Sequence, residues 1–90
     1  MEFEWDTDKA TQNVAKHGVL FEYAVRVFLD PYRIDHEDDR RDYREERRLT
    51  VGRIEGRLFA IVYTPRGGLI RLISARKANE REGRRYDQAL

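Results

Sequence analysis

The chain has 90 residues, 40% of them hydrophobic and 39% charged, with a formal net charge of +1, so it holds one small core and we expect a single domain over residues 1–90. The longest apolar run, residues 58–63, is far shorter than the roughly 20 residues of a membrane-spanning helix, and the absence of cysteine excludes disulfides and thiol chemistry. The acidic start, Met1–Asp6, lacks the features of a signal peptide, so we expect a cytoplasmic protein.

The first third of the chain predicts two short helices. Asp6 is suited to cap a helix over residues 7–17, and Gly18 suits the left-handed position that ends it. Apolar residues recur with helical spacing over 21–29, and the proline two residues later stops this second helix. The segment before both helices, Phe3–Trp5, fits either a short strand or an apolar plug.

The middle of the chain predicts strands on either side of a charged segment. Residues 32–36 fit a short strand, and residues 37–46 carry nine charges in ten positions, which is typical of a solvated loop or a mobile flap. Three further strands follow, separated by short glycine-containing turns that favour antiparallel neighbours, at 47–54, 58–64 and 69–75.

A last helix is predicted over residues 79–89. Asn79 is suited to cap it, and Glu82 stands at the third position after the cap, as in a capping box. Helices before and after a run of strands predict an α+β domain. In this arrangement two N-terminal helices pack on a small antiparallel sheet, and a C-terminal helix follows.

The charge is unevenly distributed along the chain. Residues 1–46 hold seven Lys or Arg against thirteen Asp or Glu, whereas residues 47–90 hold eleven against four. Fifteen of the eighteen basic residues are arginine, whose planar guanidinium binds phosphate or carboxylate through two hydrogen bonds. The basic half therefore favours a nucleic-acid surface or an acidic protein partner, with a self-neutralising solvated surface as the alternative.

Sequence motifs exclude several kinds of chemistry. We find no metal-ligand spacing, no glycine-rich phosphate loop and no serine nucleophile motif. Acid–base and arginine chemistry remain, and these suffice to cleave RNA. In that reaction a base removes the proton of the 2′-hydroxyl, an acid protonates the leaving 5′ oxygen, and cations stabilise the phosphate.

Five side chains are the candidates for this chemistry. We predict Glu46 as the base, His17 or Tyr86 as the proton carrier, and two arginines, Arg71 and Arg76, as phosphate clamps. Each also has a structural interpretation: the histidine as a group that caps its helix, the glutamate as the end of the charged loop, and the tyrosine as a ring packed on the sheet.

The two arginines stand five positions apart. Strict alternation along a strand would place Arg71 and Arg76 on opposite faces of the sheet. They can share a site only if the chain bends or bulges near Ser74–Ala75.

Three blocks of the chain together resemble the BrnT toxin family. They are the opening, with Phe3-Glu-Trp5-Asp6, Lys9, Asn13 and Lys16-His17-Gly18-Val19 before Phe21-Glu22 and Ala24; the middle, Glu46-Arg47; and the close, 67–76 with Glu80-Arg81 and Tyr86. The likeness spans essentially the whole chain. One departure is Leu20, where the family often has serine. Because serine would cap the second helix, its absence should cost about 1 kcal/mol of helix stability.

The resemblance implies a fold similar to the RelE family and a ribonuclease that inhibits translation, as the toxin of a bacterial type II toxin–antitoxin system. It implies a cognate BrnA antitoxin, and commonly two antitoxins assemble with two toxins. Only the antitoxin contacts operator DNA. It also implies catalysis by cationic and tyrosine side chains without metal, cofactor or membrane. Besides the catalytic candidates, we expect RNA contacts from Lys9, Arg47, Lys77, Arg81 and Arg85.

Two other functions stay open from the residues. The same arginines suit a non-catalytic module that binds RNA or the ribosome with salt-sensitive affinity. The opposite charges of the two halves also suit a pure interaction subunit. In either case a basic face attracts an acidic partner, so we expect the antitoxin to cover part of the sheet or the last helix.

Overall fold

A five-stranded sheet with helices on both faces is formed by residues 1–40 and 44–90, the part of the chain that the computed structural model describes. The middle of the predicted charged loop, residues 41–43, lies outside the described residues. In chain order the elements are β1 (Glu2–Trp5), α1 (Thr7–His17), α2 (Phe21–Ala24), a 3₁₀ helix (Val25–Leu29), β2 (Ile34–Glu37), β3 (Arg48–Ile54), β4 (Arg57–Arg66), β5 (Leu69–Lys77) and α3 (Glu80–Ala89). Each helix in this described part is too short or too polar to span a bilayer.

The order of strands in the sheet is β1-β5-β4-β3-β2. The last four pair antiparallel as expected, but β1 lies parallel to β5, with Phe3 opposite Ile70. The α+β class is confirmed, and Phe3–Trp5 lies in a strand, one of the two forms predicted for it. The prediction of a purely antiparallel sheet is wrong, because β1 makes the sheet mixed. Parallel pairing needs a long connection, here most of the chain, and no local turn signal announces it.

The helix ends agree with the sequence prediction. The Asp6 carboxylate accepts the backbone N–H of Lys9 at 3.0 Å, and Gly18 ends α1 with φ of 71°. Leu20 precedes α2 and has no side-chain oxygen that accepts a backbone N–H. The absence of this cap was predicted, and α2 is four residues long before the chain tightens into the 3₁₀ helix.

The sheet has two different faces. The α1–α2 face carries the main core, in which Phe21 and Val27 pack on the strand residues Ile61 and Leu72. The α3 face carries a smaller cluster around Tyr86, and most of its remaining area holds polar side chains. We use these two names for the faces below.

A bulge in β5 changes which side chains share a face. Val62 pairs with Ser74, and the next residue of β4 pairs with Leu72, so Ile73 is an extra residue in β5. Arg71 pairs with Thr64 and Arg76 with Ala60, two residues of β4 that lie on the same face. Because of the insertion, both arginines therefore lie on the α3 face. The bulge that a shared face requires is present.

Asn13 joins α1 to the sheet where β1 ends. Its side-chain oxygen accepts the backbone N–H of Ala75 at 3.0 Å, and its amide donates to the Ala75 carbonyl at 2.8 Å. The amide also donates to the Val19 carbonyl at 2.9 Å. Asn13 thus takes the place of a neighbouring strand and fixes the C-terminal end of α1 beside β5.

Candidate functional site

A groove of about 570 Å³ opens on the α3 face between the end of β5, the edge strand β2 and the first turn of α3. We call it the Arg76 groove. Four arginines and several carboxylates surround a small apolar floor. The lining residues are His36, Glu37, Asp38, Asp39, Arg40, Leu49, Arg76, Asn79, Arg81, Glu82 and Arg85.

Arg76 is held in the groove by Glu82. Its Nη1 donates to Oε1 of the glutamate at 2.7 Å and its Nη2 donates to Oε2 at 2.9 Å. The same carboxylate accepts the backbone N–H of Asn79 at 2.9 Å, which closes the capping box of α3. The predicted cap therefore also positions a guanidinium.

Only part of the Arg76 guanidinium is used by these contacts. Besides Glu82, the described residues provide one further acceptor, the Lys77 carbonyl, at 3.4 Å from Nη1. Within the described part of the chain, the edge formed by Nε–H and the second Nη2–H therefore stays available. This is the edge through which arginine binds an oxyanion with two parallel hydrogen bonds.

The pair keeps both charges. The hydrogen bonds to Glu82 raise the pKa of Arg76, against the opposing effect of burial. Burial alone would raise the pKa of Glu82, but the hydrogen bonds from Arg76 and Asn79 and the charges of Arg76 and His36 lower it below the ordinary value. The guanidinium therefore remains a fixed cation in a partly buried position.

His36 brings an imidazole to the same groove. It lies on β2 opposite Leu49, and its Nδ1 is 3.0 Å from the Glu37 carbonyl oxygen. Since a carbonyl only accepts, Nδ1 must donate, and in the neutral ring Nε2 then carries the lone pair.

A buried carboxylate supports the opposite wall. Asp38 is 6% exposed and accepts two hydrogen bonds from Arg40, at 2.7 and 2.8 Å. These bonds lower the pKa of Asp38, against the opposing effect of burial. Its backbone N–H donates to the Arg47 carbonyl at 2.7 Å, which ties this wall to the start of β3.

The structure brings together some of the predicted residues. Arg76, Arg81 and Arg85 all line the Arg76 groove. Lys9 and His17 line a smaller cavity beside α1. There burial, and then the positive charges of Lys16 and Arg76, lower the pKa of His17.

Other predicted residues lie outside the groove. Arg71 contacts Glu4 at 3.4 Å on the same face, and exposed Glu46 accepts a hydrogen bond from Arg48 at 3.0 Å. Lys77 lines a cavity that also contains Arg57 and Phe59.

Tyr86 is buried in the small cluster of the α3 face. Its hydroxyl donates to Asp30 at 2.6 Å, and its ring lies 5.3 Å from the Arg53 guanidinium carbon. Burial and the hydrogen bond to Asp30 raise the pKa of this phenol. The ring packs on the sheet, as its structural interpretation predicted.

Sequence reasoning missed two members of the groove. Glu82 is predicted as a helix cap but not as the partner of Arg76, and His36 is not among the residues predicted for catalysis or RNA binding. One signal was available for the histidine. Alternation in the predicted strand places it on the same face as Ile34, which packs in the cluster of the α3 face.

Among residues 1–40 and 44–90, no three His, Asp or Glu side chains are grouped so that they could hold a metal ion. The groove provides a fixed guanidinium, three further arginines, four carboxylates and an imidazole whose Nδ1 donates to a carbonyl. Together with the mixed sheet, these features define a small α+β protein with a surface suited to phosphate groups.

A comparison with known families agrees with this class. The family described as ribonuclease toxin, BrnT, of type II toxin–antitoxin system matches residues 5–82. The chain belongs to this family, and the resemblance stated from the sequence is confirmed. Membership makes it a ribonuclease toxin whose system supplies an antitoxin partner. No curated protein matches the sequence.

Proposed function

We propose that the Arg76 groove binds RNA and cleaves it without a metal ion. The observation that carries this proposal is the geometry of Arg76, whose bidentate pair with Glu82 leaves a second edge for a phosphate. His36 lines the same groove and can accept a proton through Nε2. A fixed cation beside a proton acceptor is what transesterification of a phosphodiester requires.

In the proposed reaction, His36 removes the proton of the 2′-hydroxyl, and the 2′ oxygen then attacks the adjacent phosphorus. The bond from phosphorus to the 5′ oxygen breaks, and the leaving oxygen takes a proton from solvent. The products are a 2′,3′-cyclic phosphate and a free 5′-hydroxyl. Arg76 compensates the charge on the phosphate as it builds up, and Arg81 and Arg85 hold neighbouring phosphates.

The remaining candidates stay predictions. They are His17, Glu46, Arg71 and Tyr86 as catalytic groups, and Lys9, Arg47 and Lys77 as RNA contacts. Glu46, Arg71 and Tyr86 each engage another side chain, namely Arg48, Glu4 and Asp30.

We also propose that the antitoxin is BrnA. Two copies of BrnA would bind two copies of the toxin, and only the antitoxin would contact operator DNA. An antitoxin segment with acidic side chains placed against Arg76, Arg81 and Arg85 would cover the Arg76 groove, whose lining holds four arginines and four carboxylates. This would prevent RNA binding and so relieve inhibition of translation in the cytoplasm. A complex whose contacts avoided both the sheet and α3 would contradict this docking mode.

The decisive experiment is cleavage of end-labelled RNA by the purified toxin in the presence of a metal chelator. We expect 2′,3′-cyclic phosphate ends from the wild type. Arg76→Lys keeps the charge but loses the two-edged geometry, so its rate should fall by about 100-fold, as for the loss of one transition-state donor. The cleavage rate of His36→Gln should fall by about 100-fold or more, which is the usual contribution of a general base.

Arg84→Lys is the matched control. Arg84 lies on the same helix, is largely exposed and pairs with Glu80 at 3.0 Å. Its variant should cleave RNA like the wild type. Wild-type rates in both Arg76→Lys and His36→Gln would overturn the assignment of the groove. Binding without any cleavage by the wild type would instead favour the non-catalytic module.

A further inference from the structure

A second cationic cavity lies beside the bulge of β5. It has a volume of about 220 Å³ and is bounded by one side of α1 and by the bulged strand. We call it the α1 cavity. Its described lining contains hydrogen-bond donors and no acidic side chain: Lys9, Gln12, Asn13, Lys16, His17, Ile73 and Ser74.

The lysines of this cavity carry uncompensated charge. Among residues 1–40 and 44–90, every ion pair between an acid and a base is made by an arginine, and neither Lys9 nor Lys16 takes part in one. Both lysines are exposed, with a cavity between them and β5. Two like charges at one opening favour an anion there.

The α1 cavity and the Arg76 groove are lined by neighbouring residues of β5. Ser74 lines the cavity and Arg76 lines the groove, and the two residues are two positions apart on β5, or about 7 Å along the strand. This is comparable with the separation of successive phosphates in an extended single strand. The positive charge of Arg76 also contributes, after burial and the charge of Lys16, to the lowered pKa of His17.

We propose that the α1 cavity is a second phosphate subsite for single-stranded RNA. The strand held at Arg76 passes over the edge of β5, where β1 has ended, and places its next phosphates against Lys9 and Lys16. Ser74 and Gln12 supply neutral hydrogen bonds at the same opening. The inference rests on the proposed function, because it extends the path of the same substrate.

The test compares short and long RNA on a double variant, Lys9→Gln with Lys16→Gln. Both lysines are exposed and glutamine preserves helix propensity, so the variant should fold normally. The probes are fully 2′-O-methylated, so that the 2′-hydroxyl cannot attack. One is a dinucleotide and the other has about eight nucleotides, within the usual site size of single-strand binding surfaces.

We expect the double variant to bind the dinucleotide like the wild type and the longer probe about tenfold more weakly. The slope of log K against log salt for the longer probe should decrease by about 1.4, since each lost phosphate contact on a single strand contributes about 0.7. Arg26→Gln with Arg57→Gln removes the same net charge from residues that line other cavities. This control should keep both affinities.

Three outcomes would contradict the subsite. Full affinity of the double variant for the longer probe overturns it and leaves the proposed function intact. Equal losses in the double variant and the control show an effect of net charge alone and overturn it as well. A wild type that binds neither probe overturns the proposed function together with this inference.

Discussion

Arg76 and Glu82 are joined by two parallel hydrogen bonds, Nη1 to Oε1 at 2.7 Å and Nη2 to Oε2 at 2.9 Å, which connect β5 to α3. Because Glu82 also accepts the backbone N–H of Asn79, one carboxylate fixes both the guanidinium and the start of the helix. Any change at this carboxylate should therefore affect the groove and the fold together.

Glu82→Gln tests this coupling. The variant removes the ionic character of both hydrogen bonds in a partly buried pair, so we expect a loss of about 1–3 kcal/mol in the free energy of unfolding, measured in urea. RNA cleavage should fall with it, because glutamine can accept only one of the two hydrogen bonds that hold Arg76. Glu80→Gln changes a glutamate in the same turn of α3 whose side chain is exposed and does not line the groove, and should stay within about 0.5 kcal/mol of the wild type.

The pH dependence of the same variant gives an independent check. The pKa of Glu82 is lowered in the folded protein, so its contribution to stability is complete above the ordinary glutamate pKa and is lost as the pH falls through the lowered value. The stability difference between wild type and Glu82→Gln should therefore shrink in acid. A difference that is constant from neutral to acidic pH would contradict the ionic pair.

The raised pKa of Tyr63 predicts that the protein loses stability in alkali. Its hydroxyl donates to Asp35, and burial together with this hydrogen bond raises the pKa of Tyr63 to about 12. The stability that the protonated phenol contributes is complete below about pH 10, the ordinary value, and is lost as the pH rises to about 12. Unfolding measured across this range should show the decline in the wild type.

Two phenylalanine variants separate the sources of that decline. In Tyr63→Phe the part due to Tyr63 should be absent. Tyr32→Phe changes a tyrosine that is 64% exposed, and its stability should follow the wild-type curve. Identical alkaline curves for Tyr63→Phe and the wild type would contradict the assignment.

Two glycine-to-alanine variants should change stability in opposite directions. At Gly52 a new Cβ would lie 2.8 Å from the Val27 side chain and 3.2 Å from its carbonyl, so Gly52→Ala should cost about 1–3 kcal/mol. Gly83 lies inside α3, and its new Cβ would meet Leu58 at an ordinary 3.8 Å. Gly83→Ala should therefore stabilise by about 0.5–1 kcal/mol. Thermal or urea unfolding measures both, and a stable Gly52→Ala would contradict the close packing of β3.

Asn13→Ala should be strongly destabilising. The amide is 5% exposed, and its removal leaves buried backbone groups of Val19 and Ala75 without their partners. We expect a loss of about 2–4 kcal/mol in the free energy of unfolding. Gln12→Ala, at the exposed neighbouring position, serves as the control and should change it by less than about 0.5 kcal/mol. Similar losses in both variants would indicate a general effect on α1.

Local signals in the sequence predicted the ends of the helices. Asp6, Gly18 and Asn79 act on the backbone within a few residues of themselves, so their effect can be inferred from neighbours in the chain. The parallel pairing of β1 depends instead on segments separated by most of the chain. No local pattern encodes it, and the sheet was therefore predicted as purely antiparallel.

The site was predicted in part for a similar reason. Arg76, Arg81 and Arg85 were identified because arginine chemistry suits phosphate whatever its position in the fold. The position of Arg76 beside His36 depends on the bulge at Ile73 and on the packing of α3, and both are tertiary features. Composition and alternation do not determine either one.

The pairing of β1 with β5 has a consequence for synthesis. The first strand, Glu2–Trp5, has its neighbour in residues 69–72, so the sheet cannot be completed until most of the chain has left the ribosome. A nascent chain shorter than this lacks both the β5 backbone and Arg76. The complete sheet and the Arg76 guanidinium therefore come together only late in synthesis, once the strand that both depend on has been made.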